Sequence, residues 1–194
     1  GLHAADSGHI EVFGKRVQIR NPHEAIALGI GMVHQHFMLV DTLSALENVL
    51  LGAESHALLH RAEAAMRAKL DTLMQSTGLK VALDAQVADL PVGDRQRLEI
   101  LKALVRGARI LILDEPTAVL TPTEVESLFG TLRQLIEQGL SVIFISHKLD
   151  EVLRISHRIA VLRGGKLVAD LPAAGADKPM LAEAMVGRRV APPV

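Results

Sequence analysis

The chain has no cysteine, tryptophan or tyrosine, and only four phenylalanines. The lack of cysteine excludes a disulfide framework and fits a reducing compartment. So few aromatic rings argue against a base-stacking platform for single-stranded nucleic acid. Charge of one sign is missing too: 21 Lys and Arg against 22 Asp and Glu leave no basic excess to neutralise phosphates along a duplex. No apolar run approaches the ~18–20 residues of a membrane span. The opening "GLHAADSGHI" has neither the basic nor the apolar block of a secretory signal. No stretch reads G-x-x-x-x-G-K-[ST], the loop whose backbone cradles nucleotide phosphates. What remains is 194 residues, 49% of them apolar, enough for one domain with a sizeable core.

The local signals alternate between strand and helix. "IEVFGKRVQI" (10–19) predicts two short strands about a turn at Gly14-Lys15. "NPHEAIALG" predicts a short helix after Pro22 that closes near Gly29. "GIGMVHQH" predicts a buried strand running out into polar residues. From about 37 to 105 the pattern is helical. Ala62, Met66, Leu70, Leu73 and Met74 share one helix face, and Leu98, Leu101, Leu104 and Val105 share another. Thr121, Pro122 and Glu124 spell an N-cap, a first-turn proline and a capping box. "SVIFIS" (141–146) has the nearly continuous apolar run of a central parallel strand. A short helix near 148–155, strands "RIAVLR" and "KLVAD" around Gly164-Gly165, and a helix near 177–186 complete the chain, with "RRVAPPV" as a linker or frayed end.

Strand 110–114, helix 122–138 and strand 141–146 predict a right-handed crossover in a parallel sheet. Ligands of such sheets bind beyond the carboxyl ends of the strands. Asp114, Glu115 and His147 all fall just past such ends. In "ILILDEPT" one carboxylate can hold a hydrated Mg²⁺ while its neighbour takes a proton from an attacking water. By itself an acid pair is equally a helix cap or a solvated surface. The four aliphatics before it and the "PT" after it favour the chemical reading. His147 in "ISHKL" can donate to a phosphate, although a lone histidine after a strand is usually a surface residue. Gln35 in "VHQHF" can reach a metal or a water. The flanking His34 and His36 lack the further ligands of a metal site. In "LPVGDRQR" (90–97), Gly93 permits close backbone approach at a helix start, a ready anion site that is equally an ordinary turn.

Taken in this order and spacing, the motifs resemble the ATP-binding domain of an ABC ATPase, over essentially the whole chain. "ILILDEPT" is similar to a Walker B strand with its glutamate, "LPVGDRQR" to the LSGGQ-like signature, and "VHQHF" to the Q-loop. "AVLTP" occupies the D-loop position and "ISH" that of the switch histidine. "ADSGHIEVFGKRV", "ALGIGMVHQHFML", "EILKALVRGARILILDEPTAVLTP" and "MVGRRV" look most like the importer ATPases for simple sugars and nucleosides. In that group two such domains are often fused, and this chain resembles the first.

The resemblance implies an α/β fold: a P-loop NTPase-like (RecA-like) parallel sheet core, small antiparallel N-terminal strands and a helical subdomain. The division expected is core at 1–36 and 106–186, helical subdomain at 37–105, and a linker or tail at 187–194. The implied cofactors are ATP and Mg²⁺. Asp114 would hold the metal shell and Glu115 polarise the water. His147 would contact the γ-phosphate. Gln35 would sense metal and water and link to the membrane partner. Leu90, Pro91, Val92, Gly93 and Asp94 would close over a nucleotide on an opposing domain, with Thr121 beside them in the D-loop. The implied partners are transmembrane permease subunits, a second ABC ATPase domain and, indirectly, an external solute-binding protein. No nucleic acid is expected, and the location expected is peripheral, on the cytoplasmic face of the membrane.

Three departures qualify the match. The phosphate-binding loop is absent, and so is the adenine-stacking aromatic, so an N-terminally truncated piece that binds ATP feebly by itself is expected. Lys15 belongs to a turn. Pro91 replaces the usual signature serine and Asp94 its glutamine, which removes a hydroxyl and adds negative charge near phosphates. Thr121 stands where the D-loop often has aspartate. The alternatives are a truncated domain that only docks on partners, and a soluble ABC ATPase acting on nucleic acid. The balanced charge and the short interval between Gln35 and Leu90, with no room for a coiled-coil arm, argue against the second.

Overall fold

A computed structural model of the chain describes residues 3–51 and 59–187. Its contacts divide into two compact units, Gly1–Ile143 and Phe144–Val194.

The first unit opens with a hairpin of β1 (Ile10–Val12) and β2 (Lys15–Val17), in which Val12 pairs with Lys15. The turn is therefore Phe13-Gly14, one residue earlier than the sequence predicts. Both turn residues have positive φ, 50° and 73°, as a two-residue primed turn requires. Arg109 lies 4.0 Å from the centre of the Phe13 ring, a cation–π contact that ties the hairpin to the start of a later strand. Helix α1 (Pro22–Ala27) is capped by Asn21, whose side chain accepts from Glu24 N–H.

Strand β3 (Ile30–Val33) runs parallel to β4 (Ile110–Asp114), with Val33 opposite Leu113. Strand β5 (Ser141–Ile145) completes a three-stranded sheet of order β3-β4-β5. β3 and β5 are less buried than their apolar runs predict. Val33 is sealed, but Met32, Ile143 and Ile145 are exposed. A strand presents alternate side chains to opposite faces, and an apolar run does not say that both faces are covered. Here only one is.

Between β3 and β4 the chain forms α2 (Ala45–Leu50), α3 (Leu59–Thr77) and α4 (Val92–Val105). The helical pattern read over 37–105 is thus interrupted. Residues 40–44 and 82–88 are laced together by backbone bonds such as Val87 N–H to Leu43 O (3.0 Å) and Ala88 N–H to Asp41 O (3.0 Å). Asn48, almost fully buried, organises the same place: it accepts from Val40 N–H at 2.7 Å and donates to Val40 O and Ser44 O, each at 3.0 Å. Helix α5 (Pro122–Glu137) buries Val125, Leu128, Phe129, Leu132 and Leu135, the stripe its spacing predicts. With Leu98, Leu101, Leu111 and Leu113 these form the core of the unit. Gly31 marks a tight crossing. A Cβ there would sit 2.9 Å from the Ala103 Cβ and 3.0 Å from the Ala108 Cβ.

The second unit holds α6 (Leu149–Ile155), an antiparallel pair β6 (Arg158–Arg163) and β7 (Lys166–Pro172), and α7 (Lys178–Val186). Val152, Ile159, Val161 and Leu181 form its core, with Phe144 and Leu149 packed against them.

Candidate active site

The site is built from the ends of strands. On β4, Leu111 and Leu113 point into the core, which turns Ile110, Ile112 and Asp114 to the other, half-buried face. The strand stops at Glu115, which has φ 47°. A left-handed glutamate directly before a proline is strained, since Pro116 disfavours helical backbone at the residue before it. Strain of this kind, of order 1–3 kcal/mol, concentrates at functional positions. The Glu115 Oε2 has no contact with solvent. A turn follows, with Ala118 N–H bonded to Glu115 O at 3.2 Å, and Thr117 is completely buried within it.

Because Val33 lies opposite Leu113 in a parallel pair, the residues beyond β3 emerge at the same sheet edge as Asp114. Gln35 is two residues beyond and exposed, as are His34 and His36. The register therefore brings Gln35 to the edge that carries both carboxylates. His147 lies two residues past β5, within the second unit, and is exposed. Lys148 N–H donates to Ser146 Oγ beside it (3.1 Å). Lys15 is paired within β2, in keeping with a hairpin rather than a phosphate loop.

The segment 90–94 is a helix start. Leu90 is buried, and Pro91 is the N-cap of α4 but gives no side-chain cap. Val92 is exposed and Gly93 is buried. Asp94 is held by Arg97 at 2.5 Å, so the negative charge expected near phosphates is neutralised in place. Arg95, which the sequence did not single out, folds back over the turn and donates to Leu90 O (3.0 Å) and Ala88 O (2.9 Å). Thr121 is the N-cap of α5 and shares a capping box with Glu124. The Glu124 carboxyl is held below its ordinary range by the Thr121 backbone N–H and, next, the Thr121 hydroxyl.

Among the described residues no three His, Asp or Glu side chains converge as an all-protein metal cage. Mg²⁺ needs no such cage, since it keeps its waters and binds through one or two carboxylates plus substrate phosphates. A single half-buried carboxylate at a strand end, with an amide at the same edge, is a donor set that fits a phosphate-bound Mg²⁺. A cavity of about 90 Å³, lined in part by Ile26, Met32, Glu99 and Arg106, contains none of these residues.

The profile of the ABC transporter family matches residues 1–118, which include the Gln35 edge, the 90–97 segment and the Asp114-Glu115 pair. The chain belongs to the ABC transporter family. Among its relatives, the nucleoside import ATP-binding protein NupA of Lactococcus lactis subsp. cremoris is 46% identical over 98% of the chain and 38% of its own length. The glucose import ATP-binding protein TsgD13 of Haloferax volcanii is 41% identical over 98% of the chain and 40% of its own length. The ribose import ATP-binding protein RbsA 1 of Burkholderia thailandensis is 44% identical over 98% and 38%. The chain thus spans about two fifths of the length of these relatives. A nucleotide-free ATP-binding cassette from an ABC transporter superposes with a TM-score of 0.75 at 25% identity, covering 88% of this chain and 71% of that one. The ADP conformation of the cassette MJ1267 has the same fold, with a TM-score of 0.79 over 97% of this chain and 80% of that one. The α/β fold, with its parallel sheet and antiparallel strand pairs, is the one these cassettes share.

Proposed function

We propose that this cassette is part of the ATP-hydrolysing component of an importer that takes up a simple sugar or a nucleoside. Relatives 41–46% identical over 98% of the chain are named import ATP-binding proteins for nucleosides, glucose and ribose. The observation that carries the chemistry is Asp114 and the strained Glu115 at the end of β4, on the edge shared with Gln35. Asp114 and Gln35 would hold Mg²⁺, which supplies charge neutralisation on the phosphates when bound. Glu115 orients and polarises the attacking water. His147 donates to the γ-phosphate. Leu90, Pro91, Val92, Gly93 and Asp94, with Thr121, close over nucleotide held by a second cassette. Phosphoryl transfer depends on positioning and electrostatics, so acids, an amide and an imidazole suffice. The partners are permease subunits at the cytoplasmic face, fed by an external solute-binding protein. No helix among the described residues is long and apolar enough to cross a membrane.

The test is Glu115→Gln in the assembled importer. ATP binding is retained and hydrolysis falls by about 10²–10⁴-fold, the usual share of a general base. Undiminished turnover removes Glu115 from the chemistry.

The 194 residues contain no G-x-x-x-x-G-K-[ST], so by themselves they are expected to hold ATP poorly, with a dissociation constant above about 1 mM. Calorimetric titration with Mg-ATP measures it. Micromolar affinity would show that the phosphates have another cradle.

A further inference from the structure

Helix α4 has little help from its own sequence in starting. Pro91 contributes no side-chain cap, and the first amides of a helix have no acceptor within it. Asp94 N–H and Arg95 N–H both turn back to Pro91 O, at 3.0 Å each. Gly93 instead faces Glu124, which lies in the first turn of α5. One oxygen of Glu124, Oε2, accepts from Thr121 N–H and from the Thr121 hydroxyl, both at 2.8 Å. The other, Oε1, lies over Gly93, so close that a Cβ on Gly93 would fall 2.7 Å from it. The Gly93 N–H also favours the ionised carboxylate, behind the contributions of Thr121. A second link lies one turn further along. Arg97 holds Asp94 and donates to Ser127 Oγ on α5 at 3.1 Å.

A capping box asks a glutamate only to reach back to its own N-cap. It does not require the second oxygen to meet another helix distant in sequence. Nor does it explain a glycine at 93, which the closeness of Oε1 does.

Resting on the ATPase reading above, we propose that Glu124 is a positioning residue: it fixes the Leu90–Asp94 turn against Thr121, so that both segments expected at a second cassette's nucleotide move as one piece. Glu124 touches no nucleotide. It splits its two oxygens between the segments that do. Loss of the tie leaves ATP held as before by the opposing cassette but lets the closing face arrive out of register. Small misplacements of this kind fall on the transition state more than on ground-state binding.

The experiment has two arms. In the isolated chain, the ¹⁵N–¹H signal of Gly93 follows the titration of the Glu124 carboxyl, and it stays flat in Glu124→Gln. In the assembled importer, Glu124→Ala lowers kcat about tenfold or more with KM for ATP within about twofold, the signature of an interaction used only in the transition state. Glu124→Gln keeps the shape and one accepting oxygen, so it recovers part of that loss. It also carries the comparison if the alanine variant folds poorly. A Gly93 signal indifferent to Glu124 overturns the inference whatever the activity does. So does a Glu124→Ala protein with a lower Tm and unchanged kcat, because Glu124 is then a helix cap and nothing more. The ATPase reading fails separately, on Glu115→Gln in the same preparation, and its failure would leave the Gly93 result standing as a structural contact.

Discussion

Helices α5 and α4 meet near their first turns and begin in opposite ways. α5 carries its own start: Thr121 accepts from Glu124 N–H, and Glu124 reaches back to Thr121 N–H. α2 does the same with Ser44 and Glu47. α4 begins at a proline with no side-chain cap, and its first turn is steadied partly by its own Arg95 and partly by a glutamate of α5. Arg95 grips the turn ahead of it, and Glu124 covers Gly93. A helix that closes on itself is a fixed frame. One whose first turn leans on a neighbouring helix takes part of its position from that neighbour, which would suit the proposed meeting with a second cassette.

The largest expected effect comes from removing the side chain of α4 that grips the turn ahead of it. Arg95→Ala deletes two hydrogen bonds from a charged donor to Leu90 O and Ala88 O. A loss of about 1.5–3 kcal/mol in the denaturant-derived stability is expected. An unchanged midpoint would mean that the Arg95 grip adds nothing to the start of α4. Next comes Thr121→Ala, which removes an ordinary N-cap and costs about 1 kcal/mol. Pro91→Ser sharpens the contrast from the other side. It supplies the missing cap, worth ~1 kcal/mol, and gives up proline's restriction of the unfolded chain, worth about 0.4–1 kcal/mol. These nearly cancel, so its Tm stays close to that of the parent. A large gain would show that α4 had lacked a cap rather than borrowed one.

How much of this was written locally decides how much could be read. The α5 start was legible because Thr121, Pro122 and Glu124 lie within one turn. Ser44 and Glu47 have the same spacing but were lost in a long helical pattern, which hid the cap that interrupts it. Asp114 and Glu115 could be placed at a strand end because an apolar strand precedes them, and so could Gln35, but that the two strands are parallel neighbours came only from the structure. The burial of β3 and β5 was overread. Met32 and Ile143 are as apolar as any core residue, and only the arrangement of neighbours leaves them exposed. The Phe13 turn was misplaced because a left-handed phenylalanine is rare. Asn48, Arg95 and the contact of Glu124 with Gly93 left no local signal, since their partners come from separate segments.

The smallest expected effect is the pH dependence that the two kinds of cap confer. Glu47 is held below the ordinary glutamate value of 4.5 by the backbone N–H and then the hydroxyl of Ser44. Glu124 is held below it by Thr121 in the same way, with Gly93 N–H and Arg97 as further partners. A carboxyl depressed on folding stabilises fully above its unfolded value, and that contribution is lost as pH falls through the folded value. Both caps therefore act in full at neutral pH and fade below 4.5. Asp84 and Asp170, depressed by Arg67 and Arg158, add acid sensitivity of the same sign, so the wild-type slope alone assigns nothing. The difference between variants does. Urea midpoints compared between about pH 6 and pH 3 should fall less in Glu124→Gln and in Glu47→Gln than in the parent. Because Glu124 also answers to α4, its share should shrink when Gly93→Ala crowds the carboxylate, while the share of Glu47 stays as it was. Equal behaviour of the two glutamates in the Gly93→Ala background would erase the distinction between a self-contained helix start and a shared one.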